Sequence, residues 1–202
     1  MKNRVNVVMA LLPEAQPLIE AWGLKPVLTD GPYRCFENDE VVLIVSGLGA
    51  DLAAAACGYL YGAVAQRPAG WLNVGIGGHG HLPLGSLRMA DTVVDLRGAI
   101  EFPMRLGGLP ELQTSKITAY FKAEPRYPEG TICDMESAGF VAACRRLTGP
   151  EGIAVLKVVS DNAEHPAEDI TPKLAFDLLN EKATEIRSVV TALLQMNATV
   201  KA

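Results

Sequence analysis

A chain of 202 residues, 49% apolar and 20% charged, can bury a core of its own and reads as one domain over residues 1–202. Its net charge of −5, with 18 basic residues scattered along the chain, argues against a nucleic-acid footprint. Its apolar runs are broken by Gly, Ser or charge well short of the roughly 20 residues a membrane-spanning helix needs.

Residues 5–12 are apolar except for Asn6, as expected of a strand covered on both faces; the basic start and short apolar run of the N-terminus therefore read as a first strand rather than a leader. Pro13 suits the first position of a helix that Gly23 stops after Trp22. Residues 33–36 and 41–45 look like strands joined through the turn-forming Asn38-Asp39. Ser46-Gly47-Leu48-Gly49 is a glycine turn, and the Ala-rich residues 51–66 form a helix able to pack closely on a sheet. Residues 71–74 read as a short buried strand, 75–85 as a glycine-rich loop and 87–94 as another strand. The pattern is weakest over 96–130, with a strand within 112–121 and a loop over 124–130. Residues 137–147 read as helix, 153–159 as a mostly apolar strand and 165–172 as loop. Thr171-Pro172 is a good cap and first-turn pair for a C-terminal helix, whose Leu174, Leu178, Leu179, Ile186, Val189, Val190, Leu193 and Leu194 form a 3.6-residue stripe. Strands and helices alternate. The predicted fold is therefore α/β, a central, mostly parallel, twisted sheet flanked by helices on both sides. Cys35, Cys57, Cys133 and Cys144 form no CxxC pair and read as reduced thiols of a cytoplasmic protein.

Three acids stand at junctions of this pattern. Glu14 lies in the first strand–helix turn, Glu136 where a helix begins, and Asp161 just past the strand at 153–159. Strand-to-helix junctions of a parallel sheet converge on one edge, where such sheets bind their ligands. Convergent carboxylates without metal ligands nearby suit a polyhydroxylated, nitrogen-rich substrate. An ionised carboxylate can clamp neighbouring ribose hydroxyls, a buried acid can protonate a leaving base, and another can orient water. For Glu136 a plain helix-capping role competes with this reading. Gly75-Ile-Gly77-Gly-His-Gly80 matches GxGxxG, with Asp95 about 20 residues on, as a dinucleotide fingerprint wants. Pro83 and Gly85 make the following residues a poor helix, however, so this stretch is better explained as backbone that must approach a ligand closely. His79 and His81 have no Cys, Asp or Glu close in sequence to complete a metal site and read as loop histidines. No metal and no cofactor are expected.

A family resemblance rests on VVMALLPEAQPL (7–18), VSGLGADLAAAA (45–56), LNVGIGG (72–78), DMESAG (134–139) and VVSDNA (158–163). In this order and spacing they resemble the segments of the nucleoside phosphorylase/nucleosidase superfamily, above all the methylthioadenosine/S-adenosylhomocysteine nucleosidases and related bacterial hydrolases. The resemblance implies that Glu14 activates the attacking water, and that Glu136 holds the ribose 2′- and 3′-hydroxyls with Met135 packed on the sugar. Asp161, held near Ser160, would protonate a purine at N7, and Gly49, Gly77 and Gly78 would bring backbone against the substrate. It also implies an oxocarbenium-like transition state and a homodimer. The turns at 10–16, 47–52 and 75–80 carry no Lys or Arg, and Arg88 and Arg97 lie off them, so water is the expected nucleophile. The function expected is hydrolysis of a purine nucleoside or similar N-ribosyl compound. Phosphorolysis and a non-catalytic nucleoside-binding protein are the alternatives. Two departures from the family pattern bear on substrate choice: Ile76 stands where the adenosine-specific branch often has Ser, and 96–130 matches poorly. Phe102, Tyr120 and Phe121 are the candidates there for stacking on a base.

Overall fold

The computed structural model describes residues 4–27, 31–63, 68–124 and 126–200. β1 (Val5–Met9) is buried throughout and runs parallel to both its neighbours, β4 (Val41–Val45) and β5 (Gly70–Gly78). On the far side of β5 lies β10 (Ile153–Asp161), again parallel and again buried at every residue. Strands covered on both faces need apolar side chains on both, which is why β1, β4 and β10 read as nearly unbroken apolar runs.

Beyond β10 the sheet changes character. β6 (Leu87–Asp95) pairs antiparallel with β10 and parallel with β8 (Thr114–Ala119). β8 pairs parallel with β9 (Thr131–Asp134), and β9 meets β5 again where Gly78 faces Cys133. The strands β5, β10, β6, β8 and β9 thus close on themselves. β3 (Arg34–Glu37) and β2 (Lys25–Pro26) extend the other edge antiparallel, and β7 (Ile100–Pro103) hairpins onto β6. Half of the pairings are antiparallel, so the expected mostly parallel sheet is corrected to a mixed, barrel-like one. The antiparallel pairings come from the β2–β3–β4 edge, from β6 against β10, and from β7 and β9, which are four residues each and fall in or beside the least patterned part of the sequence.

Helices cover both sides of the sheet. α1 (Leu12–Ala21), α4 (Pro172–Glu181) and α5 (Ala183–Val200) bury Leu18, Leu179, Ile186 and Val190 in one core, while α2 (Ala50–Ala63) and α3 (Ser137–Thr148) bury Cys57, Leu60, Phe140 and Cys144 in the other. Several boundaries shift from the sequence reading. The first strand ends at Met9, because Pro13 already sits in the first turn of α1. The strand at 71–74 runs on through the glycines to Gly78, and that at 153–159 runs on to Asp161. The single C-terminal helix is two, broken at Lys182, although Thr171 caps the first as expected, its Oγ1 accepting from Leu174 N at 3.1 Å. The Ala-rich helix runs to Ala63, and the rest of the expected span lies outside the described residues. All four cysteines are free and buried.

The two helices of the second core touch at one place that admits no side chain. A Cβ on Gly139, in the first turns of α3, would overlap the carbonyl oxygen of Ala50, where α2 begins. Backbone on the rigid start of a helix cannot step aside as a flexible side chain can. Gly139→Ala is accordingly expected to destabilise the fold by about 1–3 kcal/mol through forced separation of α2 and α3. A denaturant melt showing unchanged stability in that variant would contradict this packing.

Candidate active site

Glu14, Met135, Glu136, Ser160 and Asp161 line one cavity of about 170 Å³, together with Gly77, Gly78, Ile76 and Cys133. Each arrives by a different route. α1 begins directly after β1, so its first turn carries Glu14 to the strand's carboxyl end. β10 ends on Ser160 and Asp161, and β5 ends on Gly77 and Gly78. Met135 and Glu136 bridge β9 to α3. Gly49 lies in the turn before α2 and borders an adjoining cavity. Its backbone N–H donates to Glu136 Oε1 at 2.8 Å.

That bond separates two readings of Glu136. Its side chain makes no capping bond to α3. The cap is Asp134, whose Oδ2 accepts from the backbone N–H groups of Ser137 (2.9 Å) and Glu136 (3.3 Å) and whose Oδ1 accepts from Ser137 Oγ (2.6 Å). Glu136, relieved of capping, presents its carboxylate to the cavity. Asp161 is fixed at Oδ1 by Ser160 Oγ, 2.5 Å away.

Beneath these acids lies a cation in a stretch that reads as an apolar strand. Lys157, in the middle of β10, is 1% exposed. Its ammonium lies 2.8 Å from Asp134 Oδ2 and 3.9 Å from Glu136 Oε2. Burial alone pulls its pKa down, but Asp134, Glu136 and Glu14 outweigh this and hold it above the ordinary lysine value. On β5 the residue opposite is Gly75, where a Cβ would come within 3.1 Å of Glu14 Oε2 and 3.3 Å of Lys157 Nζ. The first glycine of the GxGxxG match thus leaves room for an ion cluster. A lone lysine inside a strand otherwise apolar on both faces was the signal for this. A buried ammonium must find a carboxylate, and Asp134 stood unassigned in the same DMESAG segment.

Burial pushes Glu14 up to about 8; Lys157 opposes the rise, while Glu136 and Asp134 add to it. Glu136 is likewise raised, first by burial, with Lys157 opposing. Cys133 is raised to about 12 by burial and the neighbouring Glu124 and Asp161, which leaves its thiol unreactive. Tyr127 is also pushed to about 12, by burial and then by Asp161, although its hydroxyl makes no hydrogen bond of regular geometry.

The remaining glycines serve contacts within the protein. A Cβ on Gly77 would press on Ile132 and on the Cys133 carbonyl, and one on Gly78 would come within 2.5 Å of Asp161 Oδ2 and 2.7 Å of Tyr127. This stretch therefore approaches β9 and Asp161 closely, and Gly77 and Gly78 also line the cavity. No helix follows Gly80, since the next element is β6, and the dinucleotide reading loses its structural context. Among the described residues no cluster of three His, Cys, Asp or Glu could hold a metal. Phe102 packs into the second core with Arg145 above its ring, away from the cavity. Tyr120 and Phe121 line the adjoining cavity, which shares Leu48 with the acidic one and also holds Arg97.

No family model matches the sequence, and a search of curated proteins finds no match. Solved structures do match. A 5′-methylthioadenosine/S-adenosyl homocysteine nucleosidase from Campylobacter jejuni is 17% identical, covers 96% of this chain and 99% of its own, and superposes with a TM-score of 0.73. The 5′-methylthioadenosine nucleosidase of Arabidopsis thaliana is 20% identical over 98% of this chain and 93% of its own, at 0.71. Futalosine hydrolase of Helicobacter pylori is 17% identical over 96% and 98%, at 0.69. The chain has the fold of these nucleosidases.

The raised Glu14 has a consequence for stability. An acid that holds its proton more tightly when folded than when unfolded loses stability as pH rises from its unfolded value near 4.5 to its folded value near 8, and no further above that. Glu14→Gln removes this ionisation. Melting temperatures of the ligand-free protein from pH 5 to 9 are expected to show the variant gaining on the wild type as pH rises; a constant gap would contradict the burial of an ionisable Glu14.

Proposed function

We propose that this chain hydrolyses the N-glycosidic bond of a purine nucleoside or a related N-ribosyl compound, releasing free base and sugar. The observation that carries this reading is the meeting of Glu14, Glu136 and Asp161 on one cavity. The fold shared with nucleosidases supports it. Residues 1–202 act as a single nucleosidase-like domain, in the cytoplasm and as a homodimer, and no cofactor is required because protonation activates the leaving group.

Each carboxylate has a separate task. Glu136, with Oε1 held by the Gly49 N–H, accepts hydrogen bonds from the ribose 2′- and 3′-hydroxyls, and Met135 packs against the sugar. Asp161 delivers a proton to the departing base; the bond from Ser160 fixes Oδ1 and leaves Oδ2 for that transfer. Glu14 takes a proton from the water that attacks the anomeric carbon on the opposite face of the sugar, as the C–N bond breaks and positive charge grows on the ring. Water is favoured over phosphate because no Lys or Arg stands among the described residues lining the cavity.

The test is a panel of purine nucleosides, including 5′-substituted ones, incubated with and without phosphate. Base release without phosphate is expected. Release only with phosphate means a phosphorylase, and thermal stabilisation without release means a binder. Asp161→Asn should lower kcat by about 10²–10⁴-fold with little change in binding, and near-full activity in that variant refutes the mechanism. Glu136→Gln should raise KM for substrates carrying both ribose hydroxyls. Since Glu14 acts ionised, kcat/KM should climb with pH to a plateau, with its midpoint near 8, and Glu14→Gln should abolish that limb.

A further inference from the structure

Lys157 has more acids within reach than it can serve, and which one it serves decides the charge state of the others. It has no access to water, so its ammonium must lean on a carboxylate. Asp134 offers the deepest well. Its carboxylate is held by Ser137 Oγ and by two backbone N–H groups at the start of α3, where the helix dipole favours a negative charge. The short contact of 2.8 Å goes to Asp134, and Glu136 stands off at 3.9 Å with its other oxygen committed to Gly49. Glu14 and Lys157 border the same small space opposite Gly75, but among the described residues they form no ion pair within 4.0 Å.

We infer that Asp134 is a positioning residue of this site: by keeping the Lys157 ammonium on its own carboxylate, it stops that cation from closing onto Glu14 and so leaves Glu14 basic enough to take a proton from water. The base role of Glu14 rests on the hydrolytic reading above, whereas the competition for Lys157 does not. The charged groups acting on Glu14 are Lys157 from β10, Glu136 at the start of α3 and Asp134 at the end of β9. Removing the Asp134 charge therefore acts on Glu14 twice in the same direction. A like charge disappears, and a freed cation turns towards Glu136 and Glu14. Both effects favour the ionised form of Glu14, and an acid ionised more readily is a weaker base.

The experiment is a carbon-13 NMR titration of the glutamate side-chain carboxyls in the whole chain without substrate, with the Glu14 signal assigned by its loss in Glu14→Gln. In the wild type Glu14 should titrate near 8, and in Asp134→Asn about 1–3 units lower. Asp134→Glu restores a partner for Lys157 and should return the midpoint to the wild-type value. Ser137→Ala weakens the cap of α3 but leaves the Asp134 charge, so its midpoint should also stay. An unmoved midpoint in Asp134→Asn overturns the inference, as does an equal drop in Ser137→Ala, which would mark a general loosening of the helix start. Should Asp134→Asn not fold, a drop of more than one unit in Asp134→Glu overturns it equally. Where nucleoside is hydrolysed, the acid limb of kcat/KM should move down with the midpoint. A wild-type chain inert towards the whole nucleoside panel overturns the hydrolytic reading alone, because the titration is read with no substrate present.

Discussion

A lysine ammonium sealed inside the central sheet is the constraint around which this molecule is arranged. Stripping an ammonium of water without pairing it is prohibitively unfavourable, so the middle of β10 dictates what must surround it. Asp134 comes to it from β9, Glu136 from the start of α3 and Glu14 from the start of α1, while β5 makes space with Gly75 in register. These elements are far apart in sequence and converge on one charged cluster. Acids outnumber the cation, and the surplus negative charge is relieved by Glu14 and Glu136 holding protons more tightly than exposed glutamates do. The structural ion pair and the proton inventory of the cavity are therefore one system.

Closure of the sheet follows a related logic. β5 can meet both β10 and β9 because its last residues, Gly77 and Gly78, have no side chains to hold β9 and Asp161 away. The ring of strands brings Cys133 and Asp134 to the same rim as Asp161, which an open sheet would have left at a distant edge. The glycines thus let protein approach protein at the rim of the cavity they line.

Where the sequence was legible, the physics was local. β1, β4 and β10 announced themselves as apolar runs because both their faces are covered, and Pro13, Gly23 and Thr171 marked helix ends by fixed backbone chemistry. Glu14, Glu136 and Asp161 could be placed at one rim from the junctions they occupy. What stayed hidden was set by long-range pairing. β7 is largely exposed and β9 is only four residues long, so neither carries a strong periodic signal, and β9 meets β5, some 55 residues earlier in the chain, where Gly78 faces Cys133. The break at Lys182 was invisible for the opposite reason, since Leu179 and Ile186 on either side of it bury into the same core and sustain one stripe. Lys157 sits inside an apolar run, where a charge is itself the strongest statement that acids must be nearby.

The distribution of cations bears most directly on the chemistry. A phosphate dianion needs a positive charge that is free to meet it, and around this cavity such charges are already spoken for. Lys157 is committed to Asp134, Arg97 to Asp95 and Asp51, and Arg126 to Glu124 on the cavity's own wall. To recruit any of these, phosphate would have to displace a carboxylate held by two or more contacts, or strand a buried acid without its partner. Water asks for none of this. In the hydrolysis proposed above it would need one acceptor for its proton and a cavity whose negative character favours a positively charged, oxocarbenium-like sugar as the base departs. Under that proposal, a site rich in carboxylates and poor in free cations would stabilise the transition state and repel phosphate by the same field.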